Sequence, residues 1–266
     1  MLFATWRVSE NMALGLFDMH CHLGFMRNAS QVAREAQAEG LGIFANTVMP
    51  REYSSLRKEL DGTPNVWVGV GLHPWWVADG RADMDVIEKA ELLAFEAPYV
   101  GEVGLDFSPA HADPASFARQ RCAFEKVARA CSEGAEENGR KVVSIHSVRS
   151  ASAVLDTLKL AGCLETCSCI FHWFSGTSDE LHRAVKEGCW FSINEMMLRT
   201  RRGREYARQV PLDRLLLETD LPPGEDVPFS AGEIISSLER TLAILKEIRG
   251  SDVQVAAAFN TRSLLG

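Results

Sequence analysis

The sequence predicts a single (β/α)8 barrel, and three observations predict it. The chain has 266 residues, close to the roughly 250 of a typical barrel of this kind. Eight short runs of apolar, β-branched or small residues alternate with segments of helical periodicity, the pattern of a parallel sheet. The polar residues best suited to chemistry stand at the C-terminal ends of those runs, the face on which such barrels carry their sites.

The strand-like runs are 15–20 (GLFDMH), 41–48 (LGIFANTV), 66–71 (VWVGVG), 98–103 (PYVGEV), 141–146 (KVVSIH), 168–172 (SCIFH), 189–193 (CWFSI) and 214–219 (RLLLET). Each has the length of a strand buried on both faces. A segment with helical spacing follows each run, for example 30–39, 82–95, 114–138, 150–161, 178–187 and 231–248, and the terminal AAAFNTRSLLG reads as a last short helix packing on the barrel. An open doubly wound sheet is the alternative, weakened because no G-x-G-x-x-G follows the first strand. Residues 1–12 read as a short extension, with Met12 an alternative start, and residues 13–266 as the barrel domain.

The N-terminus lacks the basic start and apolar core of an export signal. No stretch approaches the roughly 18 unbroken apolar residues of a membrane span. The expected compartment is therefore the cytoplasm. Seven cysteines are an odd number, against a complete disulfide framework. Cys163, Cys167 and Cys169 form C-x3-C-x-C, which is no zinc spacing and reads as reduced structural thiols. The net charge of −8 excludes a protein that coats nucleic acid through a basic overall field. Any phosphate chemistry here needs local positive charge.

His20 and His22 end the first strand, His73 the third, Glu102 the fourth, His146 the fifth, His172 the sixth and Asp220 the eighth. Taken singly, each has a plain reading. An H-x-H is often incidental, Glu102 suits a buried salt bridge, His146 and His172 suit satisfied core positions, and Asp220 suits a helix cap. Taken together they would be costly to bury without a shared purpose, and imidazoles with carboxylates form a ligand set for zinc, manganese or iron. His20 and His22 share a strand face, and alternation turns Cys21 outward into packing. Four histidines and two carboxylates exceed the four ligands of one closed zinc site. The expected arrangement pairs His20, His22 and Asp220 on one ion and His146 and His172 on a second. Glu102 spans both.

The segments FDMHCHL (17–23), GVGLHP (69–74), VGEVGLDF (100–107), VSIHS (143–147), FHWFSG (171–176), LLLETDLP (215–222) and FNTRSLLG (259–266) together resemble the TatD-type deoxyribonucleases of the amidohydrolase superfamily, in order and over nearly the whole chain. The resemblance implies a TIM barrel, two divalent metal ions (zinc, manganese or magnesium) on those six residues, and phosphodiester hydrolysis of DNA; the chain's clustered arginines and adjacent Trp75 and Trp76 point to a short or single-stranded substrate. It implies that Asp220 takes the proton of the attacking water. His73 is placed to contact a phosphoryl oxygen or protonate the leaving group, or else to serve as a structural histidine beside the ligands. Asp106 and Glu218 are candidates to orient ligands, with buried ion pairs as the other reading. With neutral imidazoles the loaded site would carry about +2, suited to a phosphodiester in an acidic protein.

The chain departs from the family pattern in three places. His73-Pro74 is followed by Trp75 and Trp76 instead of a second histidine, Arg149 is displaced by one residue from its usual place after His146-Ser147, and LPPGEDVPFS (221–230) lacks the usual Arg and Asn. Arg199, Arg201, Arg202 and Arg204 crowd what reads as a loop after the seventh strand. With Arg149 they are candidates to grip flanking phosphates, against the ordinary reading of a solvated charge run. Trp75 and Trp76 are candidates to stack bases or to pack above the barrel mouth. The rival functions are a small-molecule hydrolase of the same superfamily acting on a lactone, amide or phosphoester, a phosphoesterase of the polymerase-and-histidinol-phosphatase type, and a non-catalytic barrel. The last predicts missing ligands, and none is missing. Neither a membrane nor an obligate protein partner is expected.

Overall fold

The computed structural model describes residues 15–111 and 113–266; the 1–12 extension lies outside them. Eight strands form one sheet in sequential order: β1 (Leu16–Cys21), β2 (Leu41–Asn46), β3 (Val66–Leu72), β4 (Tyr99–Asp106), β5 (Lys141–Val148), β6 (Cys167–His172), β7 (Trp190–Ile193) and β8 (Leu215–Leu217). Every neighbouring pair from β1 to β8 is parallel, with helices crossing between strands. This is a single-domain TIM barrel. Among the described residues no helix is long and apolar enough to cross a membrane.

Alternation along each strand sorts side chains between two environments. Val143 and Ile145 of β5, Phe171 of β6, Phe191 and Ile193 of β7, and Leu215 and Leu217 of β8 join the large cluster shared with the helices. The residues between them face the barrel interior. Val142, Ile170, Trp190 and Leu216 meet Phe17, Met19 and Phe44 in a separate apolar plug, closed by Leu264 and Leu265 of the last helix. Beyond the plug the same strand faces turn polar, with Ser144 and His146 on β5, His172 on β6 and Glu218 just past β8. The apolar layer sets the floor on which the polar layer stands.

Two strands break register, and both breaks fall at predicted ligands. The β1–β2 pairing shifts between Asp18 and Cys21, around His20. The β4 pairings with β3 and β5 shift between Val100 and Val103, around Glu102. An extra residue in a strand re-aims a side chain and recurs beside active sites. Here it lets Phe17 and Met19 fill the plug while His20 and His22 still reach the rim. Nearby, Gly104 has φ +145°, and an added Cβ would fall 2.0 Å from the carbonyl oxygen of His146, so only glycine lets β4 approach β5 this closely.

The last gap in the ring is bridged by a carboxylate. Asp18 is fully buried and accepts from the backbone N–H of His20 (3.1 Å), the backbone N–H of Thr219 (2.9 Å) and the Thr219 hydroxyl. Burial pushes its carboxyl up to about 7 against these donors. Alongside, Asp220 N–H donates to His20 O and His22 N–H to Leu221 O, each at 2.8 Å. Replacing Asp18 with Ala strips partners from two buried N–H groups. It is expected to cost about 2–4 kcal/mol, read as a lower urea midpoint; Asp18→Asn keeps an acceptor and should lose less.

The expected helices appear with shifted ends, at Ala29–Ala38, Met84–Glu96, Pro114–Asn138, Ala151–Leu160, Ser178–Lys186, Ala231–Arg249 and Val253–Leu265. Pro50–Glu59 is the helix after β2, opened by a proline at its first turn. The Arg199–Arg204 segment, expected as a loop, is mostly helical. Glu195–Leu198 is capped by the Asn194 side chain and Arg201–Gln209 by Thr200, while Tyr206 and Ala207 are buried. The arginine density hid an ordinary amphipathic helix with good caps.

Candidate metal centre

The C-terminal rim gathers the predicted residues into one cluster. Glu102, 2% exposed, lies at its middle with its two oxygens facing different partners. Oε1 is 2.6 Å from His146 Nδ1, 2.8 Å from His172 Nε2 and 3.3 Å from His73 Nε2. Oε2 is 3.4 Å from His20 Nε2 and 3.5 Å from His22 Nε2. Asp220 Oδ1 is 3.2 Å from His22 Nε2 and 3.8 Å from His20 Nε2. Strand ends differ slightly from expectation: β4 and β5 run past Glu102 and His146, and Asp220 lies three residues beyond β8.

The outer nitrogens of His20, His22, His73 and His146 each meet a group that fixes ring orientation, whereas His172 Nδ1 is buried without a hydrogen-bond partner. His22 Nδ1 lies 3.1 Å from the carbonyl oxygen of Asn46, so in the neutral ring Nδ1 carries the proton and Nε2 keeps its lone pair. His20 Nδ1 lies 2.8 Å from Ser144 Oγ. His146 Nε2 is 3.0 Å from Asp106 Oδ2. Glu218 Oε1 is 3.8 Å from His172 Nδ1 and is held by Asn194 Nδ2 (2.7 Å), Trp173 N–H (3.0 Å) and, at Oε2, Ser192 Oγ. Asp106 therefore lies within hydrogen-bond reach of His146, and Glu218 lies close to His172 without bonding it. His73 differs: its Nδ1 accepts the backbone N–H of Trp75 at 3.2 Å, so in the neutral ring Nε2 carries the proton. It is poised as a donor.

The electrostatics follow from burial against this charge. Burial and the neighbouring His172 lower His20 to about 4. Burial also pulls at His22, but Asp220 and Glu102 overcome it and push it up to about 9. His73 is lowered by burial, and burial raises Glu218. Against its own burial, Glu102 is held well below the usual carboxylate range by His73, His172 and His20. Asp106 is lowered against burial by hydrogen bonds from His146, Ser108 and Trp75.

The residues fit a divalent metal. His20 Nε2 is buried without a hydrogen-bond partner and faces the cluster. Five imidazoles crowd one buried carboxylate, an arrangement that cations at the centre would satisfy better than stacked imidazolium rings. Three groups have ligand atoms within 4.8 Å of one another: His20, His22 and Asp220; His73, Glu102 and His146; and His20, His172 and Glu218. The tautomer of His73 argues against its ligation in the second group.

Above the cluster opens a cavity of about 460 Å³ whose floor includes His22, Glu102, His146, His172 and Asp220 and whose walls include Phe25, Trp75, Trp76, Trp173 and Pro222. Trp75 is 42% exposed. None of the five candidate arginines lines this cavity. Arg149 is exposed just beyond the lining residue Val148. Arg199 pairs with Glu195 at 3.0 Å, Arg204 donates to Leu198 O and approaches Glu247, and Arg201 and Arg202 are exposed. Sequence reading passed over Asp18, Asn46, Ser144, Ser192 and Asn194. For Asp18, Ser144, Ser192 and Asn194 the signal is a polar residue two positions from another along an apolar strand, and for Asn46 a single polar residue ending an apolar strand.

A TIM barrel whose C-terminal rim buries a convergent set of imidazoles and carboxylates beneath an open cavity is a metal-binding hydrolase. The family profile described as TatD related DNase matches residues 17–266, and the chain belongs to this family. It is a metal-dependent TatD-like nuclease, an enzyme acting on phosphodiester bonds. The chain is 27% identical to the 3'-5' ssDNA/RNA exonuclease TatD of Escherichia fergusonii over 94% of its own length and 99% of that protein's. Its fold matches the crystal structure of YJJV, a TatD homolog from Escherichia coli, with a TM-score of 0.76 at 23% identity, covering 95% of this chain and 98% of that one. A TatD family hydrolase from Entamoeba histolytica matches with a TM-score of 0.74 at 16% identity, with the same coverages.

Proposed function

We propose that the centre holds two divalent cations, one on His20, His22 and Asp220 and one on His146 and His172, with one oxygen of Glu102 given to each, and that the enzyme hydrolyses single-stranded DNA. The observation that carries this reading is the division of Glu102, whose Oε1 meets His146 and His172 while Oε2 meets His20 and His22. The relative from E. fergusonii is named for action on ssDNA and RNA. An imidazole-rich set with two carboxylates favours zinc or manganese over magnesium.

When bound, the cations supply the positive charge that polarises a phosphoryl group and acidifies water. The chain's own groups do the rest. Asp220, its side chain 22% exposed, reaches the cavity floor and accepts the proton of the attacking water. His73 presents Nε2–H to a phosphoryl oxygen or the leaving alkoxide, because its Nδ1 is committed to Trp75 N–H. Asp106 holds His146 in orientation, as carboxylates do behind ligand imidazoles, and Glu218 places its charge beside His172. The rings of Phe25, Trp75, Trp76 and Trp173 give unpaired bases stacking surfaces. Of the arginines, Arg149 is the one adjoining the cavity lining. Arg199, Arg201, Arg202 and Arg204 meet only phosphates farther along a strand.

The test strips the full chain with chelator, reloads it with Mn²⁺ or Zn²⁺, and compares a single-stranded oligonucleotide, a generic phosphodiester and a lactone panel. The oligonucleotide should win by at least about 100-fold in kcat/KM, with turnover lost on stripping. A lactone cleaved faster than either phosphodiester would sink the proposal.

A further inference from the structure

We infer that Trp75 is a positioning residue for the His146 side of the metal centre, acting through Asp106; this rests on the two-cation reading above. Its indole Nε1–H donates to Asp106 Oδ2 at 2.7 Å. The same oxygen lies 3.0 Å from His146 Nε2, and His146 Nδ1 lies 2.6 Å from Glu102 Oε1. The other Asp106 oxygen accepts the backbone N–H of Ser108 at 2.8 Å. The carboxylate is therefore pinned at both ends, and the pin nearest the ligand is a tryptophan of the cavity wall.

The position of that tryptophan is itself built. Pro74–Ala78 is a short helix starting directly after His73, which fixes Trp75 beside the mouth of the barrel. Its ring stands edge-on to His73 at 4.8 Å and stacks on His111 at 5.8 Å. Trp75 thus does two things with different parts of one side chain. The exposed ring walls the cavity. The N–H holds the carboxylate that aims a ligand imidazole. The stacking role uses only the π-face, so the two roles are separable by substitution. Outer partners of ligand histidines commonly contribute about 10–100-fold in metal affinity, and a residue that holds such a partner should contribute at the lower end of that range.

Trp75→Phe keeps the ring and deletes the donor. Calorimetric titration of Mn²⁺ into the stripped full chain should show two ions binding wild type. In Trp75→Phe one ion should bind about 10-fold more weakly with the other unchanged, and kcat on a single-stranded oligonucleotide should fall at limiting metal. The effect should vanish in an Asp106→Asn background, because a residue acting through Asp106 has nothing left to act on. Unchanged affinity for both ions in Trp75→Phe overturns the inference. So does an additive loss in the double variant, which marks a merely structural role. A urea midpoint for Trp75→Phe matching wild type shows that the fold is intact. Wild-type chain that binds one ion would overturn the two-cation reading and this inference with it, whereas wild type binding two with Trp75→Phe unaltered overturns this inference alone.

Discussion

Asp220→Asn is expected to lower kcat on single-stranded DNA by about 10³-fold while leaving the melting temperature nearly unchanged. The substitution removes the proposed acid–base group and the charge 3.2 Å from His22 Nε2. It spares the backbone, whose N–H still donates to His20 O at 2.8 Å. Asn is the right replacement because Asp220 has φ +60°, a left-handed conformation that Asn and Asp adopt far more readily than other side chains. Alanine there would mix strain with lost chemistry. The strained backbone is also informative in itself, since such conformations gather where surrounding contacts hold a functional group in place. Initial rates at saturating Mn²⁺, together with a thermal melt, check the result. Near-wild-type turnover would reject the role of Asp220.

Glu102→Gln should be more damaging still to the metal centre. The substitution keeps the shape and removes the charge that faces five imidazoles. Metal affinity should fall by more than the roughly 10–100-fold that loss of an outer partner brings, with a stoichiometry below two ions in the same titration. Metal-free protein gives a second readout. His22 is raised to about 9 from 6.5 in part by Glu102, so its contribution to stability is fully present below pH 6.5 and is lost as pH rises through about 9. Glu102 itself is depressed from 4.5, so its contribution is present above pH 4.5 and lost as it protonates at lower pH. The stability gap between metal-free wild type and Glu102→Gln should therefore be widest near pH 5–6 and shrink above about pH 9. Urea melts of chelator-treated protein across that range measure it. A gap that widened toward pH 9 would contradict the charge arrangement.

How much of this was legible beforehand differs by element. The eight strands could be read because parallel barrel strands are covered on both faces and stand out as short apolar runs. His146 and His172 could be placed because β5 and β6 are regular, and counting by two along them leads from the apolar plug to the rim. The arginine segment was misread because helical caps at Asn194 and Thr200 leave a weaker trace than charge density does.

The order of residue types along the chain determined the barrel and the chemical nature of its rim, since alternation and strand ends are local properties of sequence. Only the folded chain decided how the rim is used. The irregularities at His20 and Glu102 turn side chains in ways that counting cannot foresee, and Asp18 joins to Thr219 across 201 positions of sequence. The proton on His73 is fixed by a backbone N–H in the next helix, and none of the candidate arginines lines the cavity, Arg199 and Arg204 being held by pairings of their own. These outcomes depend on distances between residues far apart in sequence. Hydrogen bonds and charge act across such distances only after the barrel has closed.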